Sequence, residues 1–448
     1  MLKIHMKYAN FKDTGRTSVN IGDYLQFMAA ERLLRLMNVP ESDIIRLGFR
    51  DIAEYDGEPV VFPFCYSIID FVSHGKIAIS PKIKPVFFAV TLSTVDRFME
   101  IDQFLADAYN HSYLAEHGPV GCRDEVTYTM LTAHHIPAYI NGCMTAILPK
   151  RGDRLGDKTL FVDAPYALLP YIPATLLENC QFSTQQYYFE PSAVEDYRGM
   201  FAFVSERYRY YQENARIAVT SRLHVALPLT ALGIPVVLAK DNIDGRFSFI
   251  ERYLPIYGKD RYHEINWFPD VPDIEPAKRL LVEHALGRLQ GSVSEPALHR
   301  MEQELTYWFQ TRRIENAYQP SHAVTHTNGK RFDEYAQKYW RQDKPVRYAF
   351  WGISENNLGY WKNYIETRYP QAQLIAVFDS FRDGMVFGFP YQRPEMIAHY
   401  PDVHVVVCSV GAAQAARRLF TAWQLSPSRC CIVSDCFMRK EDVEGRFS

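Results

Sequence analysis

What is missing from this sequence narrows the field first. There is no CxxC pair and no CxxC followed by a spaced histidine pair, which sets aside the usual structural zinc frameworks. Eight cysteines are scattered along the chain. Cys430 and Cys431 are neighbours, a spacing that seldom bridges, so reduced thiols in a cytoplasmic-type compartment are expected. No run approaches the ~20 uninterrupted apolar residues of a membrane helix. The richest stretch, "PVVFPFCYSIIDFV", carries proline and aspartate and reads as buried strand. The opening residues, "MLKIHMKYAN", lack an apolar run before a cleavage site and read as a first strand rather than a signal peptide. An excess of either charge is missing too. With 49 basic and 52 acidic residues the net charge is −3, which offers no footprint for nucleic acid. Internal repeats and low-complexity tracts are also absent.

What is present is an alternation of short strands and helical patterns, the mark of α/β architecture with parallel sheets. A length of 448 residues suggests two to four domains, and 47% apolar content is ample for their cores. "LKIHMKY" reads as a strand, "GDYLQFMAAERLLRLM" as a helix, and "PVFFAVTLS" as a strand buried on both faces. At "PKRGDRLGDK" the chain turns polar, and a second series begins. In it, "TLFVDAP" and "CQFSTQQYY" read as strands and "ALLPYIPATLLEN" as a helix. The expected division is residues 1–155, residues 156–318, a polar linker over 319–343, and a small domain over 344–448. The fold expected is α/β, with two facing Rossmann-like domains and a small C-terminal Rossmann-like domain.

The chemistry-bearing residues fall where strands hand over to helices. Residues 217–239 read "IAVTSRLHVALPLTALGIPVVLA". Here one strand, a helix stopped at Gly233, and a second strand form a crossover unit. Its "SRLH" turn sits at the carboxyl end of a parallel strand, where open α/β sheets bind ligands. Thr220 or Ser221 is expected to cap the helix. Backbone N–H groups and the helix dipole then favour an anion at that spot. Arg222 adds a guanidinium suited to phosphate or carboxylate, and His224 can move a proton near neutrality. Pro228 has no N–H for the carbonyl of His224, so an irregular first turn is expected. Two further junctions converge on the same chemistry. "NIGD" places Asn20, Gly22 and Asp23 at a helix start, with Gly22 permitting close backbone approach. "GCRDE" places Arg123 beside Asp124, which reads as the cap. Arg246 reads as structural.

Those three segments, "NIGDYLQFMAAERL", "CRDEVTYTMLTAHHIPAYINGCMTAILP" and "VTSRLHVALPLTALGIPVV", resemble the polysaccharide pyruvyl transferase family in order and spacing over roughly residues 1–310. The resemblance implies a GT-B-like pair of domains that moves pyruvyl from phosphoenolpyruvate onto sugar hydroxyls of a surface or capsular polysaccharide precursor, forming a ketal. It implies His224 as general acid and Arg222 and Arg123 as the holds for phosphate and carboxylate. Ser221, Leu223, Asn20, Gly22 and Asp23 would complete the substrate site. No metal or other cofactor is implied, and no DxD-type cluster is present. The acceptor would be a sugar or lipid-linked glycan, the second case bringing the enzyme to a membrane surface. "GCMTAILP" departs from the commoner family form, so ketal formation is less firmly implied than the fold. Two other readings stand beside this one: a GT-B glycosyltransferase using a nucleotide sugar, and a glycan- or nucleotide-binding regulator without catalysis. In the C-terminal domain "WGISENNLG" supplies Gly352 and "AVFD" supplies Asp379, weak candidates for a nucleotide site because the GxGxxG fingerprint is incomplete.

Overall fold

The computed structural model describes residues 6–92, 101–152, 156–241, 243, 245–312, 327–341, 344–352 and 355–447. The chain divides into two compact units, residues 1–324 with 440–448, and residues 325–439.

The first unit is built on two parallel sheets. Its opening elements are β1 (Lys7–Asp13), β2 (Ser18–Asn20), α1 (Ile21–Leu36), β3 (Ile44–Gly48), β4 (Val60–Phe64), the small hairpin β5 (Val72–Ser73) and β6 (Lys76–Ile77), and β7 (Ile83–Phe87). The sheet runs β3-β1-β4-β7 with every neighbour parallel. Phe11, Phe62, Phe64 and Phe87 are buried within it, as strands covered on both faces require. Among the described residues the first strand is Lys7–Asp13; residues 2–5 of the stretch 2–8 read as strand lie outside them. Its inward residues Ala9 and Phe11 alternate with Tyr8 and Asn10, and all four are buried, which fixes this segment in the sheet. Helices α2 (Ile101–Ala106) and α3 (Ala108–Glu116) precede β8 (Val120–Cys122), α4 (Glu125–Ala133) and β9 (Ala138–Ile140).

The second series is β10 (Lys158–Val162), β11 (Cys180–Ser183), β12 (Gln186–Tyr188), α5 (Pro191–Glu195), α6 (Tyr197–Asn214), β13 (Ala215–Thr220), α7 (Leu223–Ala231), β14 (Val236–Lys240) and β15 (Ile256–Gly258). Its sheet is β11-β10-β13-β14-β15, again parallel throughout. Two readings need correction here. "ALLPYIPATLLEN" forms short 3-10 turns at Tyr166–Tyr171 and Ala174–Leu176. Pro170 and Pro173 cannot donate the bonds an α-helix needs there. "CQFSTQQYY" is two strands, because β12 leaves the second sheet and pairs antiparallel with β2. Ile21 at the start of α1 donates its N–H to Gln185 O at 2.9 Å, so the two series are stitched together beside that helix start.

Helices α8 (Glu275–Gln290) and α9 (Glu295–Thr311) return to the first series, α8 against α1 and α9 against β9. Ile140 donates its N–H to Thr306 Oγ1 at 3.1 Å. One apolar core runs from Ala9 to Phe309 through both sheets.

The C-terminal unit comprises α10 (Thr327–Tyr339), β16 (Val346–Trp351), α11 (Glu355–Arg368), β17 (Ala372–Phe378), β18 (Met385–Val386), β19 (Phe389–Gln392), β20 (His404–Val407), α12 (Val410–Ala422) and β21 (Cys430–Ile432); α13 (Lys440–Phe447) follows. Its sheet is β18-β19-β17-β16-β20-β21, with β18 antiparallel and the rest parallel. The first strand thus lies central and the order reverses beside it, a Rossmann-like arrangement. Helix α10 lies inside the stretch expected to be a polar linker. Phe332, Ala336 and Trp340, four residues apart, bury one helical face that its polar neighbours conceal in the sequence. Among the described residues no helix is long and apolar enough to cross a membrane.

Candidate active site

The site is built from three strand–helix junctions of the first unit. At the first, β13 is a central strand and α7 lies over its sheet; apart from Arg216 both are largely buried, and their other charged or titratable residues fall at the turn between them. Gly233 ends the helix at φ +79°, a left-handed conformation that suits glycine. The expected cap by Thr220 or Ser221 is not formed. Arg222 holds the N-cap position with extended backbone and no side-chain cap. Thr220 Oγ1 accepts the N–H of Arg222 at 3.0 Å, and Ser221 Oγ donates to Asp163 O at 2.7 Å. Both hydroxyls are therefore spent behind the turn. The first-turn N–H groups of Leu223 and His224 keep no capping side chain, and these residues face the cleft.

Asp163, at the end of β10, organises this turn. It adopts φ +47°, a conformation that aspartate tolerates better than most residues. Its Oδ2 accepts Arg222 Nε at 2.8 Å and Gln185 N at 2.9 Å. Pro228 has the predicted effect on the turn that precedes it. His224 lies off the helical path at φ −81°, ψ 15°, and the hydroxyl of Tyr208 on α6 donates to its carbonyl. A tyrosine from another helix thus replaces the bond that proline removed.

The second junction is the start of α1. Asn20 caps it, Oδ1 accepting from Gly22 N at 3.1 Å. A Cβ on Gly22 would lie 2.6 Å from His224 Cβ and 2.7 Å from its Nδ1, so glycine alone lets the helix start rest on the imidazole. The third junction follows β8. Asp124 caps α4 by accepting Thr127 N at 2.9 Å, and it also accepts the Thr91 hydroxyl at 2.6 Å. That leaves Arg123. It is 6% exposed, its N–H is held by Val90 O at 2.8 Å, and its Nε has no hydrogen-bond partner among the described residues. A buried guanidinium left this way is costly unless an anion completes it.

These residues meet. A cleft of about 300 Å³ is lined by Asn20, Asp23, Arg123 and the turn Ser221–His224. Gly22 backs it through His224. Lys240 and Arg246 line it as well. Arg246 was read as structural; a short turn, Gly245–Phe247, follows β14 and brings it to the cleft wall. Lys240 ends β14, beside β13, and the strand-end rule that singled out Arg222 would have reached it. Asp163, Tyr208, Gln185 and Tyr66 had no such signal, since each acts through a partner distant in sequence.

Electrostatics set the two titratable groups apart. Burial, helped by Arg123 and Arg246, lowers the His224 pKa from 6.5 to about 3, so the ring is neutral at physiological pH. Burial raises Asp23 to about 7, with Asp70 adding to the rise. A hydrogen bond from Tyr66 and the charges of Arg16 and Arg123 oppose it. Among the described residues no cluster of three His, Cys, Asp or Glu could hold a metal ion.

The C-terminal candidates are occupied by packing. Gly352, at φ +65°, lies so close to helix α12 that a Cβ would overlap Ala412 and Ser409. Asp379 Oδ1 accepts the N–H groups of Phe381 at 2.9 Å and Arg382 at 3.0 Å, closing its own turn. Residues 353–354 of "WGISENNLG" lie outside the described residues.

Comparison with known proteins bears on the first unit. The model of the family "Polysaccharide pyruvyl transferase" matches residues 20–239, a span that holds the three junctions. No curated protein matches the chain. A crystal structure of an uncharacterized Klebsiella pneumoniae protein is similar at 15% identity over 53% of this chain and 84% of that one. Its TM-score is 0.33, too low to carry an argument. Residues 20–239, which gather Arg123, Arg222 and His224 in one cleft, are thus similar to the polysaccharide pyruvyl transferase family.

Proposed function

We propose that the protein moves pyruvyl from phosphoenolpyruvate onto two hydroxyls of a sugar, forming a ketal on a surface or capsular polysaccharide precursor. The observation that carries this reading is Arg123, buried and with no hydrogen-bond partner for its Nε among the described residues, in the same cleft as Arg222 and His224. Phosphoenolpyruvate presents a phosphate and a carboxylate, and two guanidiniums in one small cleft suit a small double anion. The uncapped start of α7 adds backbone donors.

His224 takes the role of general acid in this reading. Burial, and after it the charges of Arg123 and Arg246, keep the ring neutral before substrate binds. Phosphate and carboxylate would screen those cations and favour the protonated ring, so the substrate's own charge arms the acid. His224 protonates the methylene carbon, and C2 becomes cation-like. One sugar hydroxyl adds to C2, the bond from C2 to the phosphate oxygen breaks, and a second hydroxyl closes the ketal. Of the two hydroxyl protons released, one replaces that given to the methyl group and the other leaves with phosphate. Positioned proton transfer of this kind contributes ~10²–10⁴-fold. No step here calls for a metal. The site of action would be cytoplasmic, reaching a membrane only through a lipid-linked acceptor.

Two measurements test the reading. Millimolar phosphoenolpyruvate should raise the melting temperature of the purified protein, and Arg123→Gln should weaken that binding about 10–100-fold, the worth of a lost charged hydrogen bond. His224→Ala should stay folded and release no phosphate with acceptor present. A shift with uridine or cytidine nucleotides and none with phosphoenolpyruvate would favour a nucleotide-sugar transferase. Binding without turnover, indifferent to His224→Ala, would favour a regulator.

A further inference from the structure

The cleft is not uniformly basic. Arg222, Lys240 and Arg246 reach it from the second series, and Arg246 and Arg123 are the charges that act on His224. Another part of the wall comes from α1 and from the segment following β4: Asp23, Gln26, Tyr66, Ser67 and Asp70. The charges acting on Asp23 are those of Asp70, Arg16 and Arg123. Arg123 lines the cleft and acts on both groups.

The second end carries unspent hydrogen-bonding capacity. Gln26 is three residues beyond Asp23, on the same face of α1. It is 3% exposed and lines the cleft, yet its Oε1 has no partner among the described residues. Ser67 Oγ is buried and likewise unpartnered among them. Tyr66 bonds to Asp23, and Arg16 holds Asp70 at 2.8 Å. A buried amide carbonyl without a donor is uncommon in folded proteins and costs stability. Its presence on a cleft wall indicates that a ligand supplies the donor.

We propose that Gln26, Ser67 and Asp70, together with Asp23, form the acceptor subsite, and that it seats an uncharged sugar through its hydroxyl groups. The proposal rests on the pyruvyl-transfer reading for its place in the reaction. The chemistry of the wall selects the class. Carbonyl and carboxylate oxygens accept from sugar hydroxyls, and the serine hydroxyl can give or accept. An anionic group would meet Asp70 and, when ionised, Asp23 here; of the two cations that act on Asp23, Arg16 is already engaged by Asp70 and Arg123 also serves the His224 end. The donor anion and the neutral acceptor thus sort to different ends of one cleft, with Arg123 acting on the titratable group of each.

The test uses the full-length protein and two separate readouts. Saturation-transfer NMR probes contact with methyl β-galactopyranoside, methyl α-mannopyranoside and methyl β-glucuronide, with and without phosphoenolpyruvate. Melting-temperature titration measures phosphoenolpyruvate itself. At least one neutral hexoside should give transfer signals, and the glucuronide should give much weaker ones. Gln26→Leu and Asp70→Asn should each weaken the hexoside about fivefold or more, the loss of a hydrogen bond, and leave phosphoenolpyruvate affinity within about twofold. Asp70→Asn, at the cleft margin, covers the case in which Gln26→Leu does not fold. Silence from both neutral hexosides, equal signals from the glucuronide, or hexoside signals untouched by Asp70→Asn would overturn the subsite. Loss of the phosphoenolpyruvate shift in the unmodified protein would instead sink the pyruvyl-transfer reading. Hexoside signals that still fell in the variants would then support the sugar subsite by itself.

Discussion

Asp23 and His224 share a cleft and are displaced in opposite directions, which has consequences for stability as well as chemistry. Asp23 rises from 3.8 to about 7, so between those values the folded chain keeps a proton that the unfolded chain has released. Its contribution to stability is present below 3.8 and is lost as pH climbs through 7. Asp23→Asn should therefore melt higher than the parent at pH 8, and the difference should close by pH 4; thermal unfolding at several pH values checks this. His224 runs the other way. Its folded pKa lies near 3 against 6.5, so its contribution is present above 6.5 and is lost as pH falls toward 3. Much of this site was legible residue by residue. Arg222, His224, Asn20 and Gly22 stand at helix starts in plain sight, and Arg123 adjoins an evident cap. Gln26 and Lys240 were not read. A glutamine inside a helix and a lysine ending a strand are commonplace, and only the cleft distinguishes them.

At the scale of elements, the imidazole is positioned by a defect that another helix repairs. Pro228 strips α7 of one hydrogen bond, and Tyr208 from α6 restores a partner to the His224 carbonyl. Tyr208→Phe should therefore lower kcat about tenfold or more while KM for phosphoenolpyruvate stays within about twofold, because small displacements of a catalytic group cost rate before they cost binding. A merely structural role would lower the melting temperature without this split. Gly22→Ala acts from the opposite side. Its Cβ, 2.6 Å from that of His224, must push the ring or the helix start, and activity should fall while the circular dichroism spectrum holds. The Pro228 effect was predictable because proline chemistry is local. The repair by Tyr208 was not, because sixteen residues and a strand separate the two partners. Likewise the prolines in "ALLPYIPATLLEN" deny it a helix although its apolar residues suggest one.

At the scale of the molecule, the two sheets of the first unit share one core, whereas residues 325–439 form a unit with cores of their own, around Phe350 and Trp361 and around Phe378 and Val405. A fragment spanning 325–439 should therefore fold alone and unfold cooperatively, as followed by circular dichroism; a fragment without a melting transition would contradict this. The alternation of apolar strands and helices, and the polar turns between them, were set by the sequence alone, because period and turn chemistry are local properties of the chain. So was the stop of α7 at Gly233. The return of α8 and α9 to the first series, the pairing of β12 with β2, and the convergence of Arg246, Lys240 and Gln26 on one cleft were decided only by the tertiary structure. Each depends on which distant apolar surfaces bury one another, and that choice is made by the core as a whole.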